Sequence, residues 1–139
     1  MKTFRREYVK PAPRPLSGVP YMYQIEELLN RVVPGYRIKD HEGRGLYITI
    51  GEYTLSVQWS GANCCTNHLR FKAHSPAPIC RDFEIAVWET RTNKWVKLGE
   101  NDDVLGYVTW DKFETILNLV KLKHFDDIRV AAYDEEVIK

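Results

Sequence analysis

The spacing of large apolar side chains changes period along the chain. Between Pro20 and Pro34-Gly35, the residues Ile25, Leu28, Leu29 and Val32 fall at the i, i+3, i+4, i+7 positions of one helical face. Proline suits the first turn of that helix and Pro-Gly its stop. From Tyr36 the period drops to two. Residues 36–40, 45–50 and 53–59 alternate large and polar side chains and are separated by residues 41–44 and by Gly51-Glu52, which predicts three antiparallel strands. The Gly51-Glu52 link has glycine first, as a type II′ hairpin turn requires. In the third strand Leu55, Val57 and Trp59 share one face, while Thr54, Ser56 and Gln58 share the other. Residues 83–89 and 94–98 flank residues 90–93 as a further hairpin, with Ile85, Val87 and Glu89 opposed to Ala86 and Trp88. Residues 99–106 read as an acidic turn in which Gly106 supplies the permissive dihedral. Helical spacing then returns. Thr109 is a good N-cap, Asp111 suits the first turn, and Phe113, Ile116, Leu117 and Val120 make an apolar face that runs to about Lys123. Residues 128–133 fit a last strand or a short helix. The pattern predicts an α+β fold: an antiparallel sheet of about five strands with two amphipathic helices on one face.

What lies outside that pattern sets the domain organisation. Four prolines among residues 10–20 bias the start of the chain to an extended form, so residues 1–18 read as a basic, proline-rich arm. Residues 19–123 form a single α+β domain, and residues 124–139 an acidic C-terminal tail. A length of 139 residues with 44% hydrophobic content suits one domain with a real core. No apolar run approaches the roughly 20 residues of a membrane span, and the N-terminus lacks a signal-peptide stretch. The expectation is a protein of the cytoplasm, with no membrane partner and with its three cysteines reduced. The net charge of +1 conceals an uneven layout. Lys2, Arg5, Arg6, Lys10 and Arg14 face only Glu7 at one end, whereas Asp126, Asp127, Asp134, Glu135 and Glu136 outnumber Arg129 and Lys139 at the other. Such an asymmetry serves a homodimer in which one arm meets the other tail, or presents the arm to an acidic partner, or amounts to two solvated termini.

Candidate chemistry gathers in residues 60–81, the longest stretch without periodicity. Cys64, Cys65, His68, His74 and Cys80 are zinc-ligand types, but the cysteines are adjacent, no C-x2-C pair exists, and Pro76 and Pro78 stiffen the approach to Cys80. Ordinary thiols are the simpler reading, and no metal or other cofactor is called for. A nucleophile would need a thiolate beside a base, and Cys64 or Cys65 with His68 supplies the residue types without an orienting third group or an oxyanion motif. Glu100, Asp102 and Asp103 have the oxygens for a divalent cation, yet read as turn residues. Arg5, Arg6, Lys10, Arg14, Arg70, Lys72 and Arg81 offer charge to phosphate, with Tyr8, Phe71, Tyr47 or Tyr53 to stack a base. The near-neutral total argues against a dedicated nucleic-acid binder, and Trp59, Trp88, Trp95 and Trp110 read as packing residues.

The run Tyr53-Thr-Leu-Ser-Val-Gln-Trp, a Cys/Asn loop, Phe83-Glu-Ile-Ala-Val-Trp, Trp95, and Asp102-Asp-Val-Leu-Gly-Tyr-Val-Thr ahead of a helix resembles a family of small hypothetical bacteriophage proteins, over roughly residues 53–120. The family carries no catalytic signature. The resemblance implies origin in a phage or mobile element and action by stoichiometric binding, with counter-defence proteins such as anti-CRISPRs as an outcome. Together with the charge layout it leads to the expectation of a non-enzymatic inhibitor that binds a host protein or nucleoprotein complex in the host cytoplasm. Its binding residues would be Arg5, Arg6, Lys10, Arg14, Arg70, Phe71, Lys72 and Arg81. The alternatives are an oligomeric sponge that sequesters a small nucleotide signal and a small enzyme using a loop Cys/His.

Overall fold

Five strands in chain order, β1 Arg37–Asp40, β2 Gly45–Ile50, β3 Tyr53–Gln58, β4 Asp82–Glu89 and β5 Val104–Thr109, form one antiparallel sheet in the order β1-β2-β3-β4-β5. The computed structural model describes residues 19–60, 78–99 and 102–133. Helix α1 Met22–Val32 precedes the sheet, and α2 Phe113–Lys121 and α3 Ile128–Tyr133 follow it. The α+β class and the five-stranded antiparallel sheet agree with the sequence pattern. The helices number three among the described residues, because residues 128–133 settle as a short helix whose Ile128 and Ala132 are buried in the core. The packed body therefore runs to Tyr133.

Register explains why the helices take one face. Leu46, Ile48 and Ile50 of β2 stand opposite Val57, Leu55 and Tyr53 of β3, and Val57 and Leu55 stand opposite Ile85 and Val87 of β4. Period-two alternation thus stacks the large aliphatic side chains of three strands on the same side. Ile25, Leu29 and Val32 of α1 and Phe113, Ile116, Leu117 and Val120 of α2 close over them. The Gly51-Glu52 link is a tight hairpin with Gly51 at φ 59°, as its order of residues requires.

The far edge of the sheet departs from the sequence reading. Residues 94–98 make only one bridge, Trp95 with Trp88, backed by the Val96 amide on the Val87 carbonyl at 2.9 Å. The chain then leaves the edge and returns as β5, whose Val104 pairs with Ala86 of the same strand. Strand β5 escapes the alternation because the register with β4 shifts between Phe83 and Ile85. Phe83 pairs with Val108 and Ile85 with Leu105, so the buried residues of β5 are three apart instead of two. That bulge also moves the special dihedral: Tyr107, not Gly106, takes positive φ, at 57°. Ahead of α2, a 3₁₀ turn Trp110–Lys112 follows Thr109, whose hydroxyl donates to the Asp111 carboxylate.

Candidate functional site

Opposite the helices, the sheet carries a row of aromatic rings over a polar strand. Tyr47 on β2 pairs with Ser56, and Trp88 on β4 pairs with Thr54, so both rings rise from the face shared by Ser56 and Thr54. Their strands lie about 9.6 Å apart at the usual spacing, and the two positions are offset along them by two residues, yet the ring centroids are 5.8 Å apart. Only short side chains on β3 allow that. Ser56 and Thr54 leave room for the two rings to meet above them, and each is 6% exposed. The row continues in both directions: His41 lies 4.9 Å from Tyr47, and Trp95 lies 5.6 Å from Trp88. At its outer end the row reaches solvent, with Trp95 50% and the neighbouring Val104 39% exposed.

The inner end is fixed by hydrogen bonds. Arg44, its side chain 11% exposed, donates from Nη2 to His41 Nε2 at 3.1 Å. A guanidinium has only donors, so Nε2 is the acceptor and the ring proton sits on Nδ1. Gln58 Oε1 accepts there at 2.8 Å, with the Tyr47 hydroxyl 3.1 Å from the same nitrogen. The Gln58 amide nitrogen donates in turn to Ser56 Oγ at 3.0 Å and to the Leu46 carbonyl at 3.3 Å. The polar side of β3, an isolated alternation in the sequence, thus anchors the imidazole and the phenol at the head of the row.

Four exposed cations flank the row. Arg37 and Lys39 sit on β1 opposite Thr49 and Tyr47, hence on the same face, and are exposed. Arg91 and Lys94 lie in the turn between Trp88 and Trp95 and are exposed as well. None of the four forms an ion pair with a described residue. Of the nearby acids, Glu42 pairs with Arg44 and Asp103 with Lys97. Glu89 and Asp40 keep their charge and accept only neutral donors among the described residues, the Thr92 hydroxyl and the Gly43 amide; Glu84, opposite Gln58, lies on the aromatic face itself. Asp102, weighed above as a cation ligand, receives the guanidinium of Arg129. No group of three or more potential metal ligands occurs among the described residues.

Of the residues expected to bind, Arg81 alone lies within the described part. It is exposed just before β4, at the other end of that strand from Trp88, about 23 Å away at the extended rise per residue. Arg5, Arg6, Lys10, Arg14, Arg70, Phe71 and Lys72 fall outside the described residues, as do Tyr8, Cys64, Cys65, His68 and His74. Cys80 is buried, its thiol donating to Asp82 Oδ1 at 3.4 Å. Tyr53 faces the helices, its ring 4.7 Å from Phe125. Trp59 and Trp110 pack inside as expected, the Trp110 indole donating to the Cys80 carbonyl at 2.6 Å. Trp95 does not. Contrary to the packing role that its sequence suggests, it pairs with Trp88 on the face of Thr54 and Ser56 and is 50% exposed.

A concavity of about 510 Å³ opens where α1 and α2 end beside the β2–β3 hairpin, lined by Tyr36, Tyr53, Lys121 and Lys123 among others. Both helices direct their C-terminal carbonyls to this end, which disfavours an anion. Lys121 already serves them, donating to the Val32 carbonyl at 2.9 Å.

No protein-family model, curated protein or solved structure matches the chain.

Proposed function

We propose that this chain is a non-enzymatic binding protein of a phage or other mobile element that inhibits a host complex, an anti-CRISPR or other counter-defence protein. One observation carries the reading: the sheet face away from the helices presents an aromatic row whose exposed end, Trp95 with Val104, contributes nothing to the core beneath it. Large exposed aromatics beside unengaged cations are the composition of recognition surfaces, where Trp, Tyr and Arg supply most of the binding energy. The sequence resemblance to small phage proteins points the same way. No helix among the described residues is long and apolar enough to cross a membrane.

The test is a plaque assay in bacteria carrying an active CRISPR or restriction system. Expression of the chain is expected to restore plaquing by a targeted phage, and Trp95→Ala, expressed to the same level, is expected to lose that protection. Unaltered plaquing across a panel of defence systems overturns the proposal.

A further inference from the structure

We infer that the aromatic face takes single-stranded nucleic acid; this rests on the reading above that the face is the working surface, and it names the partner's chemistry. A flexible strand offers flat bases on one side and phosphates on the other. Both halves have counterparts here. Trp95, half exposed and tilted 34° against Trp88 at 5.6 Å, presents an open indole on which a base can stack as the next ring of the row. Arg37 and Lys39 at the β1 edge, and Arg91 and Lys94 in the turn before Trp95, stand at the two margins as exposed cations with no ion-pair partner among the described residues. Aromatic stacking with a cationic margin is how single strands are held without reading their sequence.

The near-neutral total, which argues against a protein that is basic throughout, does not decide the matter for one face, because association depends on local potential. Exposed acids such as Glu26, Glu27, Asp126 and Asp127 belong to the helical layer, on the opposite side of the sheet. Glu84, which shares the aromatic face, is half-buried at the other end of β4 from the turn that carries Arg91 and Lys94. A duplex fits less well, since its bases are stacked inside and offer the indole no open face. An acidic protein surface would match the cations but would leave the exposed ring without use.

The experiment is fluorescence anisotropy of the full-length chain with labelled single-stranded oligothymidylate, a mixed-sequence single-stranded RNA and a duplex of equal length, across a salt series. The single strands are expected to bind more tightly than the duplex. Trp95→Ala is expected to weaken them about tenfold, the loss of one stacked base, with an unchanged melting temperature to show that it folds. Arg37→Ala with Lys39→Ala is expected to flatten the slope of log affinity against log salt by about 1.4, at 0.7 per phosphate contact. The inference is overturned if no single strand binds, or if strands and duplex bind alike and are indifferent to Trp95→Ala. If single strands fail while Trp95→Ala still abolishes protection in the plaque assay, the face is a protein interface: the inference falls and the proposed function stands.

Discussion

At the scale of single residues, two backbone positions carry more of the architecture than their neighbours. Gly45 opens β2 opposite Gln58, and a Cβ there would run into the Val57 carbonyl oxygen and the Gln58 amide. The carbonyl belongs to the sheet ladder and cannot move aside. Gly45→Ala should therefore cost about 1–3 kcal/mol by overpacking, read as a lower urea midpoint, and should disturb the Gln58–His41 bond that heads the aromatic row. Lys123 shows the opposite case. Its amide bonds to the Val120 carbonyl at 3.1 Å and the His124 amide to the Leu119 carbonyl at 2.9 Å, the paired bonds of a Schellman ending, with Lys123 itself at φ 63°. Glycine adopts that dihedral without the Cβ penalty. Lys123→Gly should raise stability by about 1 kcal/mol, since the exposed pair it loses with Glu52, 3.4 Å apart, is worth little. A lower midpoint for this variant would mean that Lys123 does more than end a helix. Before the structure, the apolar face of α2 was readable as far as about Lys123, but a lysine at the αL position leaves no mark in the sequence, where glycine would have.

At the scale of elements, what could be read depended on whether periodicity survived. Helix α1 and strands β1 to β4 follow unbroken spacing, and their bounds fall close to those read from the pattern. Strand β5 was missed because its bulge breaks the alternation, and α3 stayed open because six residues hold too little of either period. Something other than propensity must hold so short a helix. Ile128 and Ala132 are buried, Arg129 pairs with Asp102, and the Tyr133 hydroxyl donates to the Gly106 carbonyl at 2.7 Å. Tyr133→Phe should cost about 0.5–1.5 kcal/mol, the net worth of one such bond, and should speed hydrogen exchange in α3 and β5 ahead of β2 and β3. Helices α1 and α2 are joined by Arg31 and Glu114, whose nitrogens and oxygens meet at 3.2 and 3.3 Å. The hydrogen bond from Arg31, and then its charge, hold the Glu114 carboxyl below its ordinary value. A lowered carboxyl pKa contributes stability above the unfolded carboxylate range and loses it as pH falls through the folded value. Glu114→Gln should thus lower the melting temperature slightly at neutral pH and make no difference in acid below that range. An equal difference at both would show that the pair acts by packing.

The whole molecule divides its labour between the two faces of one sheet. The helix side supplies burial: Leu29 is fully enclosed between α1 and the strands, and Leu29→Ala should cost about 2–5 kcal/mol. On the other face β3 presents only short or hydrogen-bonded side chains, and the rings bridge over it from the flanking strands. That arrangement was half legible. Alternation placed Trp88 with Thr54, Ser56 and Gln58, but only the register shows that Tyr47 and Trp88 meet above them, and only the single bridge at Trp95 carries the row to solvent. Spatial proximity across three strands is a property of the pairing, which no local window contains. If binding and folding are divided in this way, the two kinds of substitution must separate. Trp95→Ala removes a half-exposed ring resting on one neighbour, so it should shift the unfolding free energy by less than about 0.5–1.5 kcal/mol, the range for one aromatic pair, while abolishing function in the plaque assay. Leu29→Ala, expressed at a temperature where it remains folded, should keep that function. Urea unfolding of the two variants beside the native chain checks the first half and plaquing the second. A Trp95→Ala variant that unfolds as readily as Leu29→Ala would return Trp95 to the core and leave the sheet face without a free end.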